Sequence, residues 1–300
     1  MKFKKLGAVV ASVVAASLVL AGCSAKKDDH ADHNHGGAEK KHVKIGVVGA
    51  NEPYWEDYKD AAKKEGIEIE LVDFADYNQP NPALTAKELD LNQFQHIIYL
   101  AKHNANSGDN LVPIGSTGIY PLALFSKKHK KVDEFKKGAE IAIPNDPSNR
   151  ARALLVLQQA KLLKLKDGGS PTSTPDDIIA ADSKVKVKEV DASFTAASIN
   201  DVDGAVVNND FVVKAGLNFK DALFQDDPKD PSAFPYINIF AARAADKDNP
   251  TYKKLVEIYQ NSEKVKAGVV KASGGSGVLV KTPVSELQET LDKLVKKYKK

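Results

Sequence analysis

The sequence predicts an α/β protein with largely parallel sheets. Three observations carry that expectation: short β-branched runs alternate with stretches of helical periodicity; glycine, proline and asparagine punctuate the junctions; and 300 residues at 42% hydrophobic and 28% charged suit two packed units better than one core.

The elements follow in order. Val43-Lys44-Ile45-Gly46-Val47-Val48 reads as a buried parallel strand, with a helical stretch from Trp55 to Gly66 after a loop. Gly66 is a natural helix stop before Ile67 to Val72, which alternates as a second strand. Asn81-Pro82 opens a helix, Leu89-Asp90-Leu91 is a brief strand, Phe94 to Ala105 is an amphipathic helix, and Leu111 to Ile114 is extended. A second unit begins near Ser126. Within it Ile141 to Pro144 is strand-like, and Asn145-Asp146-Pro147-Ser148 leads a helix over Asn149 to Leu163 with Ala153, Leu154, Leu157 and Ala160 on its apolar side. Lys166 to Pro171 is a loop, and Thr174-Pro175-Asp176-Asp177 starts another helix. Val185 to Val190 is a strand, Phe194 to Ile199 a helix, and Gly204 to Val207 a strand. After Pro235 the chain returns to the first unit and ends in a helix from Thr282-Pro283, with Leu287, Leu291, Leu294 and Tyr298 on one stripe.

Composition narrows the function. With 43 basic and 40 acidic side chains, net charge is +3, so the chain has no basic field for neutralising phosphates and nucleic acid is not an expected partner. A single cysteine, Cys23, excludes a disulfide scaffold. There is no phosphate loop and no His-Glu-x-x-His pair, and Gly274-Gly275-Ser276-Gly277-Val278 misses the nucleophile-elbow pattern at its last residue.

The first segment reads as an address. Lys2, Lys4 and Lys5 precede the uncharged run Leu6 to Ala21, the layout of a signal peptide over residues 1–22. Leu20-Ala21-Gly22-Cys23 resembles a lipobox, in which the Cys23 thiol takes a diacylglyceryl group. That implies a lipid-anchored protein on the extracytoplasmic face of the cell membrane. Residues 23–42 are too polar to pack and read as a flexible tether. It carries His30, His33, His35 and His42, so it is either a solvated spacer or a weak zinc, copper or nickel binder.

One further segment points to a ligand. In Ile143 to Leu154, Asp146 or Ser148 caps a helix whose first-turn N–H groups carry partial positive charge, and Arg152 adds a planar fork of donors suited to a small carboxylate. Read alone, Arg152 equally suits a surface salt bridge, and Arg150 reads as a surface charge.

This segment, together with Asn92 to Leu100, Tyr120-Pro121-Leu122, Ala205-Val206-Val207-Asn208 and Pro235-Tyr236-Ile237-Asn238, resembles the methionine-binding lipoprotein family (NlpA or MetQ type) of ABC importers, from about Val43 to about Ser262. The resemblance implies a two-lobed periplasmic-binding-protein fold of type II with the ligand in the interlobe cleft. Lobe 1 is then 43–124 plus 236–300 and lobe 2 is 125–235, with crossings near Phe125 and Phe234. It implies that Arg152 grips the methionine carboxylate and that Asn208, with Asn149 and Asn238, bonds the polar end. Tyr77, Phe94, His96, Tyr99 and Tyr120 then wall the thioether; taken alone, the aromatics also suit core packing and His96 a helix start. It implies no enzyme activity and no cofactor. The expected partners are methionine (L, D or a methionine-containing dipeptide), an ABC permease with its ATPase, and the membrane through the anchor. Two departures stand out: an additional C-terminal amphipathic helix, and Asn209-Asp210-Phe211 where the family often has Gly or Thr before an aromatic. Two other classes compete: a zinc-binding surface lipoprotein using the His tract, and a cleft hydrolase with His96 as base. Outside the tract, His96, His103 and His129 are scattered.

Overall fold

The structure, a computed structural model, describes residues 41–299. The expected signal peptide over residues 1–22, Cys23, His30, His33 and His35 lie outside the described residues. In chain order the elements are β1 (Lys41–Val47), α1 (Tyr54–Lys64), β2 (Ile67–Asp73), α2 (Pro80–Thr85), β3 (Leu91–His96), α3 (Ile97–Ser107), β4 (Leu111–Ser116), β5 (Gly118–Ile119), β6 (Ala123–Phe125), β7 (Ala139–Pro144) and α4 (Pro147–Gln159). They continue as β8 (Val185–Val190), α5 (Ala192–Ser198), β9 (Gly204–Val207), α6 (Asn209–Val212), β10 (Phe224–Gln225), β11 (Asn238–Arg243), α7 (Pro250–Asn261), α8 (Glu263–Ala272), β12 (Val278–Leu279) and α9 (Val284–Tyr298).

Two five-stranded sheets form the frame, ordered β2-β1-β3-β11-β4 and β10-β6-β9-β7-β8. In the first, β1 pairs in parallel with β2 and β3, while β11 runs antiparallel between β3 and β4. In the second, β7 is parallel to β8 and β9, and β6 is antiparallel to β9. The chain leaves the first sheet after Ser116 and returns at Asn238; Phe125, expected at the crossing, is already the last residue of β6. Binding sites on open parallel sheets lie at the carboxyl ends of strands, and the ends of β3, β7 and β9 carry the segments singled out above.

Several boundaries differ from the sequence-based expectation. β3 includes Phe94, Gln95 and His96, expected to be helical, because it is a central strand buried along its whole length and helical periodicity has no meaning there. The tether expected to reach residue 42 stops earlier, since Lys41 and His42 already pair with Ile67 and Glu68 in β1. Thr174-Pro175 opens only a 3₁₀ turn, Pro175–Asp177. The long helix ends at Gln159, and Lys161 follows with a φ of 59°.

The core matches the frame. Trp55, Tyr58, Phe240 and Tyr259 pack between the first sheet and helices α1 and α7, while Leu154 and Leu157 of α4 pack on the second sheet. On α9, Leu287 and Leu291 are buried in the cluster that includes Leu100 and Ala101 of α3. At Gly115 in β4, an added Cβ would lie 2.2 Å from Val256 Cγ1 of α7. Sheet and helix can approach there only without a side chain, so Gly115→Ala is expected to cost about 1–3 kcal/mol in urea unfolding, seen as a lower midpoint at unchanged slope.

Candidate functional site

The cleft is assembled from the ends of strands. His96 ends β3 and caps α3, its Nδ1 accepting from the Tyr99 amide at 3.1 Å. That acceptor role leaves the proton on Nε2, which donates to Asn149 Oδ1 at 3.1 Å. Burial, and then the Arg152 charge, push the His96 pKa down to about 3, so the ring is neutral. Both nitrogens are committed, which argues against the general-base role of the hydrolase alternative.

From the second sheet, Asp146 caps α4 by accepting from the amides of Ser148 and Asn149, and its other oxygen accepts from Asn149 Nδ2 at 2.9 Å. Pro147 at the first helical position completes a start whose local chemistry is legible in sequence. The oriented Asn149 amide places Oδ1 to accept from Asn208 Nδ2 at 3.0 Å as well as from His96. Asn208 Oδ1 is buried without a partner, as is Asn209 Oδ1. A buried acceptor left without a partner costs roughly 1–3 kcal/mol.

Arg152, one turn into α4, is only 5% exposed. Nε donates to Asp226 Oδ2 at 2.7 Å, and Nη2 to Asp226 Oδ1 at 3.2 Å and to the Tyr120 carbonyl at 2.8 Å. The guanidinium also lies 4.3 Å from the centre of the Tyr236 ring. It is therefore a buried, neutralised pair rather than a surface salt bridge, and among the described residues Nη1 is the nitrogen with no protein acceptor. Arg150 does make a surface pair, with Glu189 at 2.8 Å.

Aromatic rings form the opposite wall. Tyr77, Phe94 and Tyr99 lie with centroids 5.6–6.1 Å apart, and Phe211 adds a ring 5.1 Å from Tyr77. Tyr99 Oη donates to the Tyr77 carbonyl at 2.8 Å, which fixes the loop that carries Tyr77. Beneath it a buried amide network, Asn81, Asn92 and Gln95, ties α2 to β3.

All nine residues named from the sequence, Tyr77, Phe94, His96, Tyr99, Tyr120, Asn149, Arg152, Asn208 and Asn238, line one cleft of about 420 Å³ including its mouth. Sequence reasoning missed Asp226, Tyr236 and the role of Asp210. Asp226 carries no local signal, Tyr236 lies in a block of the resemblance that gave it no role, and Asp210, two residues after Asn208, was visible only as a departure from pattern. The Asp210 carboxylate accepts from Tyr77 Oη at 2.8 Å and from Asn209 Nδ2 at 3.3 Å. Desolvation raises its pKa to about 6 against the hydrogen bonds from Tyr77 and Asn209. As for metal, His42 Nε2 lies 3.2 Å from Glu70 in a strand pair, and no group of three or more His, Cys, Asp or Glu side chains suited to a metal occurs among the described residues.

Two α/β lobes facing each other across a polar and aromatic cleft define the class of two-lobed extracytoplasmic binding proteins. The chain belongs to the NlpA lipoprotein family, whose profile covers residues 43–280. It is 40% identical over 282 residues, 90% of this chain and 99% of the relative, to a probable D-methionine-binding lipoprotein MetQ of Haemophilus influenzae. Among solved structures, protein PG110 of Staphylococcus aureus is 37% identical with a TM-score of 0.80, covering 84% of this chain and 99% of that one. A nutrient-binding protein of Burkholderia cenocepacia, solved bound to methionine, is 40% identical with a TM-score of 0.74, covering 79% and 99%.

The raised Asp210 pKa has a definite sign. A carboxyl that binds its proton more tightly when folded loses stability as pH rises from about 4 to about 6, and the full penalty persists above that. Asp210→Asn is therefore expected to stabilise the ligand-free protein by about 1–2 kcal/mol above pH 6, after discounting for partial exposure. The gain should vanish below pH 4 in urea melts compared across pH.

Proposed function

We propose that the chain is the substrate-binding lipoprotein of an ABC importer and that it closes on methionine and hands it to a permease and its ATPase, making and breaking no bond. The observation that supports this reading is the pair of buried, unpartnered amide oxygens, Asn208 Oδ1 and Asn209 Oδ1, on residues that line the cleft. In this reading Arg152 Nη1 takes the carboxylate and Asn208, aided by Asn149 and Asn238, takes the amine end. Tyr77, Phe94, Tyr99 and Tyr120 wall the thioether, and the neutral His96 ring edges the pocket. A sulfur against aromatic edges gains about 0.3–1.5 kcal/mol, and an unbranched side chain suits a slot between rings. The ligand is L- or D-methionine or a methionine-containing dipeptide, and the names of the relatives support that class.

Closure follows from contacts between the two sheets' segments. His96 meets Asn149, Asn78 Nδ2 donates to Asp191 at 3.1 Å, and Lys102 Nζ donates to the Pro147 carbonyl at 3.0 Å. A ligand touching both walls adds to these contacts and shifts the population toward the closed form.

Thermal shift and calorimetry with L-methionine, D-methionine, Gly-Met and zinc test the reading. At 1,000 times its dissociation constant the ligand should stabilise the protein by about 4 kcal/mol. Asn208→Ala should weaken binding about 10- to 100-fold. No shift with any methionine compound would overturn the assignment, and a shift with zinc alone would favour the metal reading. Attachment through Cys23 predicts that Cys23→Ser moves the protein from the membrane fraction to the soluble fraction, because the acyl chains supply the anchoring free energy.

A further inference from the structure

Building on the methionine reading, we propose that Asp210 is the counter-ion for a protonated primary amine in the cleft, so that a free ammonium group is a requirement of the ligand. The charges of the site lead there. Arg152 is matched by Asp226, and His96 is neutral. The Asp210 carboxylate has only two neutral donors, Tyr77 Oη and Asn209 Nδ2, and no cationic nitrogen in ion-pair range among the described residues. It lines the cleft and also an adjoining pocket that shares Phe94, Tyr120, Asn209 and Asn238 with it.

Stoichiometry supports the same role. An ammonium group has three N–H donors and no acceptor. Three consecutive residues lining the cleft supply three acceptors: Asn208 Oδ1 and Asn209 Oδ1, both buried without partners, and the Asp210 carboxylate. Asn208 itself is 8% exposed. A run of one charged and two amide oxygens discriminates strongly against a ligand without the amine, because each would then stay desolvated and unpaired.

The groups facing Asp210 are Tyr77 from the loop after β2, Glu52 and Tyr54 at the start of α1, Tyr120 from the crossing segment, and Lys214 beyond α6. Lys214 lowers the Asp210 pKa and Glu52 raises it, while the Lys214 ammonium lies 6.0 Å from the Phe211 ring centre. The balance leaves the carboxyl titrating at about 6, so affinity for a cation is expected to fall by about tenfold per pH unit below that point.

The test is calorimetry on the full chain with L-methionine and with 4-(methylthio)butanoate, the same molecule without its amine, from pH 8 to pH 5. Wild type is expected to prefer methionine by about 100-fold or more at pH 7.5 and to see that preference fall about tenfold by pH 5. Asp210→Asn should cut the preference to below about tenfold and flatten its pH profile. Tyr77→Phe removes the hydroxyl that joins Tyr77 to Asp210 and should lower both affinities together, keeping their ratio. An undiminished preference in Asp210→Asn overturns the proposal. So does a lost preference in Tyr77→Phe, which would make Asp210 a latch acting through Tyr77. If wild type binds no methionine, the methionine reading fails separately; thermal shifts with the other amino acids and their N-acetyl forms then decide. Stabilisation by the free amines alone supports the proposal, and its absence, or equal stabilisation by both sets, overturns it.

Discussion

A single amide oxygen, Asn149 Oδ1, receives a hydrogen bond from His96 at the end of one sheet and from Asn208 at the end of the other. Its position is fixed from below by Asp146, which caps the same helix and holds the Asn149 nitrogen. The tautomer of His96 and the orientation of Asn208 both follow from that one acceptor. A helix cap, ordinarily a local device worth about 1 kcal/mol, here sets the geometry between two walls.

Electrostatics in the cleft are organised by burial. Arg152 cannot be left alone in a dry wall, and Asp226, Tyr120 and Tyr236 share its charge. His96 beside it is kept neutral by the same desolvation and the same positive charge. Asp210 lines the same cleft with no ion-pair partner among the described residues, and the burial of its carboxyl costs stability wherever it is ionised. The aromatic cluster of Tyr77, Phe94, Tyr99 and Phe211 excludes water from this arrangement and strengthens each polar contact within it.

Most of the α/β pattern was legible because strands and helices leave periodic marks within a few residues. The start of α4 was readable down to its cap, since Asp146, Pro147 and Arg152 act on their own turn. Phe94 to His96 misled for the opposite reason: a central strand buried on both faces shows no alternation, and its apolar residues flow into those of the following helix. The site residues themselves came from blocks of family resemblance, and their gathering into one cleft depends on two sheets meeting.

By itself, the sequence determined an α/β chain with a signal-like start, a capped helix bearing an arginine, and no recognisable catalytic motif, because each of these is a property of neighbouring residues. Tertiary structure alone decided that Arg152 faces Asp226, 74 positions away, and that Tyr77 meets Asp210 across 133. It also decided that β11 slots antiparallel between β3 and β4, bringing Asn238 beside His96. Such pairings are chosen by packing and by the cost of burying unpaired charge, and neither leaves a trace in local sequence.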